Sequence, residues 1–130
     1  MSFFLNPNAM STDGREIEIQ LPWSDSANSP TGYECNLEHA GGGLTIVRWN
    51  GPSGDFTVLA GATNQPIPKT GDIFTANIVG NVITVYFNGV QVLQATDSTY
   101  ATGNPGMGFF VRDPALNADF GVSSFTATGL

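Results

Sequence analysis

Positive charge is the scarcest commodity in this chain of 130 residues: Arg15, Arg48, Lys69 and Arg112 stand against 11 carboxylates, for a net charge of −7. Four scattered cations cannot build the basic patch that a phosphate backbone or an anionic bilayer requires, so neither nucleic acid nor membrane is expected as a partner. A single cysteine, Cys35, excludes an intrachain disulfide. It alternates with Glu34 and Asn36 and shares a face with Tyr33 and Leu37, the place of a small core residue. The only histidine, His39, is four residues away but follows Glu38 and enters a glycine-rich stretch, with no third group to orient a Cys-His nucleophile. That stretch, Gly41-Gly42-Gly43, is followed by no Lys-Ser/Thr and opens no helix, so it reads as a hairpin loop and not as a phosphate cradle. Residues 1–10 have no basic n-region and too short an apolar run for a signal peptide or a membrane span. Nowhere do apolar residues recur at helical spacing over eleven positions.

What is present is turn chemistry between short apolar runs. Residues 71–96 hold three of them: Gly71-Asp72 leads into a run ending at Val79, Gly80-Asn81 separates it from Val82–Phe87, and Asn88-Gly89 leads to Val90–Thr96. Gly-Asn and Asn-Gly supply the positive φ angles of two-residue hairpin turns, so three strands should form an antiparallel meander. Residues 15–21 alternate strictly, with Ile17, Ile19 and Leu21 on one face and Glu16, Glu18 and Gln20 on the other. Further strands read at 33–37, 44–50, 56–60, 107–112 and 119–127, punctuated by Gly51-Pro52-Ser53-Gly54 and the loop around Pro66 and Pro68. Roughly nine short strands spaced about 8 to 12 residues apart predict an all-β, two-sheet antiparallel sandwich. One domain over residues 1–130 is expected, residues 1–14 being a loose arm that docks by Phe3 and Phe4.

In order, the segments Gly32–Leu37, Leu44–Gly51, Gly71–Gly89, Asp97–Tyr100, Gly103–Gly108 and Phe120–Ala127 resemble the concanavalin A-like lectin/glucanase superfamily, in its laminin-G-like jelly-roll branch, over about residues 15–127. The resemblance implies a jelly roll, an extracellular setting and a poly- or oligosaccharide partner. Members usually carry additional strands before the position of Arg15, so the chain looks like the C-terminal two-thirds of such a domain, truncated at the N-terminus. Uncovered sheet edges then imply a homodimer or higher oligomer.

The same resemblance locates a candidate catalytic strand. Retaining glucanases of the superfamily alternate three carboxyls as Glu-x-Asp-x-Glu, whereas here Glu16-Ile17-Glu18-Ile19-Gln20 ends on an amide that cannot exchange a proton at neutral pH. Glu16 and Glu18 are the catalytic candidates if the chain is an enzyme, a glycosidase or polysaccharide lyase half-domain. With the third carboxyl missing, a non-catalytic carbohydrate-recognition module is the leading expectation, binding a neutral or weakly charged glycan, and a structural self-association module is the third. Glycan sites combine aromatic faces with planar amide or guanidinium donors. Candidates are Tyr86, Trp49, Arg48, Asn77, Arg112 and Gln20, with Trp23, Tyr100 and Asn50 beside them. Tyr86 belongs to the less apolar face of its strand, whereas Trp49 shares with Thr45 and Val47 a face that could equally be core. No cofactor motif is present. Structural calcium, frequent in the superfamily, would take its oxygen ligands from Asp113, Asn117 and Asp119.

Overall fold

The computed structural model describes residues 1–5, 16–39, 43–111 and 120–129, and it is all-β there. Ten strands follow in chain order: β1 (Ser2–Leu5), β2 (Glu16–Ser24), β3 (Thr31–Glu38), β4 (Leu44–Asn50), β5 (Phe56–Ala62), β6 (Phe74–Val79), β7 (Val82–Phe87), β8 (Val90–Thr96), β9 (Asn104–Phe110) and β10 (Phe120–Ser124). They form an antiparallel five-stranded sheet of order β5-β4-β3-β2-β9, a three-stranded sheet β6-β7-β8 and a ribbon β1-β10. The two larger sheets stack as a jelly-roll sandwich.

The meander forms as its turns dictate. Asn88 and Gly89 both take positive φ, 49° and 80°, as a type I′ turn needs, and Gly80 takes 61° at the first central position of its turn. Alternation then sorts each strand. Ile17, Ile19, Tyr33, Cys35, Leu37, Leu44 and Ile46 from one sheet meet Phe74, Ile83, Val85, Phe87 and Ala95 from the other in a single core. Cys35 is fully buried there, and burial followed by the nearby Glu34 charge pushes its thiol up, the reverse of what a nucleophile needs.

Two expectations need correction. The first residues are not a loose arm: Ser2–Leu5 is a strand paired with β10, Leu5 is a core residue, and its backbone exchanges two hydrogen bonds with the Thr70 hydroxyl. The Met1 ammonium donates to the Phe74 carbonyl, Phe74 N–H donates back to Met1, and a bridge joins Ser2 to Ile73, so this ribbon continues the β6 edge. β9 begins three residues earlier than its apolar run and includes Pro105. It pairs only with β2, and an edge strand tolerates the missing N–H.

Candidate functional site

Register places the polar half of the alternation on the outer face of the five-stranded sheet. Gln20 lies opposite Glu34, and Glu34 opposite Val47; one row along, Glu18 lies opposite Asn36, and Asn36 opposite Thr45. On the β9 side Gln20 and Glu18 face Gly106 and Gly108. A Cβ at Gly108 would overlap the Glu18 carboxylate, and one at Gly106 the Gln20 amide oxygen, so the two glycines let these side chains lie flat across the edge strand. Glu16 completes a cluster with Glu18 and Glu34, one oxygen of each lying within 4.8 Å of the others.

Such crowding has an electrostatic consequence. Burial, then the charges of Glu34 and Glu16, push the Glu18 carboxyl up to about 8, so it carries a proton at neutral pH and can donate a hydrogen bond. Burial raises Glu34 as well, against the Asn36 and Trp49 donors that favour its charged form. Those donors fix it: Asn36 Nδ2 reaches Oε1 at 3.1 Å and the Trp49 indole N–H reaches Oε2 at 2.9 Å. Thr45 Oγ1 donates in turn to Asn36 Oδ1. A proton on Glu18 relieves the repulsion, and a hard cation held by the three carboxylates could do the same.

Aromatic residues close one end of this face. Trp23 meets Trp49 edge-on at 6.4 Å, and Trp49 meets Phe56 at 5.4 Å, with Phe56 49% exposed. A register irregularity after Leu21 brings Trp23 to its place. Gly32, at φ 139°, allows it, since a Cβ there would overlap the Pro22 carbonyl and come within 2.9 Å of Trp23 Cα.

The sequence candidates separate between surfaces. Glu16, Glu18, Gln20 and Trp49 share the outer face of the five-stranded sheet, which settles Trp49 as a residue outside the core. Arg48, the next residue along β4, lies on the inner side opposite Tyr33, and its guanidinium is held by Asp97 at 2.7 Å, by Thr99 and by Asn50. With its side chain 25% exposed, Arg48 is engaged as a clasp between the sheets, and its expected role as a donor to sugar hydroxyls would have to be served from that position. Tyr86 and Asn77 lie on the outer face of the three-stranded sheet with Thr75 and Thr84, across the core from the carboxylates. Arg112, Asp113, Asn117 and Asp119 lie outside the described residues, as do Gly41 and Gly42. Glu34, Asn36, Thr45 and Phe56 were not among the candidates, and Trp23 only beside them. The alternation of Glu34 and Asn36 with Tyr33, Cys35 and Leu37 was the available signal, because it puts both on the polar side of the strand next to Glu18 and Gln20.

No family model matches the chain, and no curated protein matches it. Among solved structures it is similar to the carbohydrate binding module CBM66 from Bacillus subtilis, with a TM-score of 0.62 and 16% identity. That alignment covers 83% of this chain and 62% of the module, and it supports the β-sandwich fold.

Proposed function

We propose that the chain is a non-catalytic carbohydrate-recognition module of the lectin/glucanase type, and that the outer face of the five-stranded sheet receives a neutral glycan. The observation that carries this reading is the aromatic corner of Trp23, Trp49 and Phe56 set against a floor of Gln20, Glu34, Asn36, Thr45 and Glu18. Sugar rings present C–H faces that stack on aromatic surfaces and hydroxyls that both donate and accept. The half-buried Glu18, Gln20 and Thr45 offer both kinds of partner, while Glu34 and Asn36, 5% and 8% exposed and bonded to each other, to Trp49 and to Thr45, form the base beneath them. The similarity to a carbohydrate binding module is consistent with it. Uronate or sulfated glycans are disfavoured, since they would meet the cluster of Glu16, Glu18 and Glu34 with Glu38 opposite Glu16 and, among the described residues of this face, no cation.

A glycosidase reading draws support from Glu34, which supplies from the neighbouring strand the third carboxyl that Gln20 lacks. The state of Glu34 argues the other way: it is 5% exposed and both its oxygens are taken by Asn36 and Trp49, a poor position from which to exchange a proton with a substrate. The test is calorimetric titration with a panel of neutral, anionic and amino-bearing polysaccharides, alongside assay of reducing-end release. Binding to a neutral member, abolished by Trp49→Ala and without release of new ends, supports recognition. Release that disappears in Glu18→Gln establishes the hydrolase instead, and failure to bind any member removes both.

A further inference from the structure

The aromatic corner is held from behind. Tyr100, in the segment between β8 and β9, donates its hydroxyl to the Trp49 carbonyl at 2.9 Å, and its ring meets Tyr33 edge-on at 5.7 Å. Its own N–H donates to the Tyr33 hydroxyl at 3.0 Å, and that hydroxyl donates to Asp97 at 2.7 Å. Asp97 also takes Arg48 Nη1 at 2.7 Å and Thr99 N–H at 2.8 Å, while its backbone N–H donates to the Asn81 carbonyl in the β6-β7 turn. Two tyrosines and an ion pair thus tie the three-stranded sheet to residues 48 and 49 of β4. The clasp reaches β4 through Arg48 on the inner side and through the carbonyl of Trp49, whose indole stands on the outer side against Glu34 and Trp23.

We propose that Tyr100 is a positioning residue for the recognition face, fixing the backbone of Trp49 so that the indole keeps its hydrogen bond to Glu34 and its edge-on meeting with Trp23. This rests on the recognition reading for its functional consequence and on the hydrogen bonds alone for its structural one. Removing the hydroxyl releases the Trp49 carbonyl and lets the end of β4 tilt, which loosens the indole without opening the core.

The chain's two tryptophans are Trp23 and Trp49, so fluorescence excited at the red edge of the absorption band, where tyrosine does not absorb, reads this corner. In Tyr100→Phe the emission should move to longer wavelength and acrylamide quenching should rise, with far-ultraviolet dichroism unchanged. Affinity for the best-bound neutral glycan should fall about three- to tenfold, the effect of one net hydrogen bond. Tyr33→Phe, which cuts the same chain one link earlier, should move emission and quenching in the same direction, and the double variant should add little to either single one. It also gives a second route to the answer if Tyr100→Phe fails to fold. Emission and quenching like those of the parent protein in both variants, with only the melting temperature lowered, would overturn the proposal and leave Tyr100 a staple between sheets. If the parent protein binds no glycan, the recognition reading fails on its own, and the fluorescence result still decides whether Tyr100 positions Trp49.

Discussion

Replacing Glu18 by Gln isolates the cost of gathering three carboxyls on one face. Folding raises the Glu18 carboxyl from 4.5 to about 8. Between those values the native protein holds a proton that the unfolded chain has released, so stability must fall as pH rises across that window. At about 1.4 kcal/mol per tenfold change in proton affinity, the gap corresponds to an upper limit of about 5 kcal/mol. Water on the open side of the face, and the sharing of proton affinity among Glu16, Glu18 and Glu34, bring the expected loss to ~2 kcal/mol between pH 5 and 9. Gln is isosteric with the protonated acid and cannot ionise. Glu18→Gln should therefore match the parent protein at pH 5, exceed it by ~1–2 kcal/mol at pH 9, and keep the shallower slope that Glu34 and, near pH 9, the buried Cys35 contribute. Urea unfolding at pH 5, 7 and 9, followed by far-ultraviolet dichroism, measures this directly. A parent protein whose stability is flat or rises over that range refutes the reasoning, as does a variant with an unchanged slope.

Other perturbations separate the surfaces. Trp49→Ala should lower affinity for a neutral glycan at least tenfold, whereas Tyr86→Ala and Asn77→Ala, on the far sheet, should leave it within about twofold; the reverse ranking in titration calorimetry would move the site to the other face. Gln20→Glu should destabilise the fold by ~1 kcal/mol or more at pH 8, because it sets a carboxylate directly opposite Glu34, and by less at pH 5; equal effects at the two pH values would count against cross-strand repulsion. Burial alone would raise Asp97, but hydrogen bonds from Thr99 and Tyr33 and the Arg48 charge hold it down at about 2. Its contribution is therefore present above about pH 4 and lost as pH falls towards 2, and Asp97→Asn should cost ~1–3 kcal/mol at pH 7 while flattening that acid limb in urea titrations. Light scattering at micromolar concentration should find an oligomer if the edges of β5 and β9, unpaired among the described residues, are used, and a strict monomer would remove that expectation.

The sandwich was readable because alternation and turn chemistry are local. Ile17, Ile19 and Leu21 announce a half-buried strand, and Asn88-Gly89 announces its hairpin, without reference to anything distant. What joins distant parts was not readable. The pairing of β1 with β10 links the two ends of the chain, and four residues carry no local mark of it. Arg48 looked like a surface donor because charge is normally solvated; its partner Asp97 lies 49 residues away and draws it inward. Trp49 was ambiguous for a physical reason. Its strand is apolar on both faces, with Leu44 and Ile46 in the core and Val47, although outward, only 3% exposed. The carboxylates of β2 were legible as a face, but their third member sits on β3, and only register brings it near.

Register also changes what Gln20 means. Compared with an alternating triple of acids along one strand, it looks like a lost carboxyl. Across strands it faces an acid: Gln20 lies opposite Glu34 and Asn36 opposite Glu18, whereas at the end of the pair Glu16 lies directly opposite Glu38. Acids directly opposite one another destabilise a sheet pair, and those kept diagonal can be gathered at lower cost. The two amides therefore keep Glu18 and Glu34 diagonal to one another, and Glu34 is further held by Asn36 and the Trp49 indole, while Glu16 and Glu38 are left face to face. A surface selected for stability alone would interleave cations there, and among the described residues of this face there is none. On the proposed reading, the electrostatic cost of these carboxyls beside the Trp23, Trp49 and Phe56 corner serves recognition, since sugar hydroxyls can both donate to a carboxylate and accept from an amide or a protonated acid.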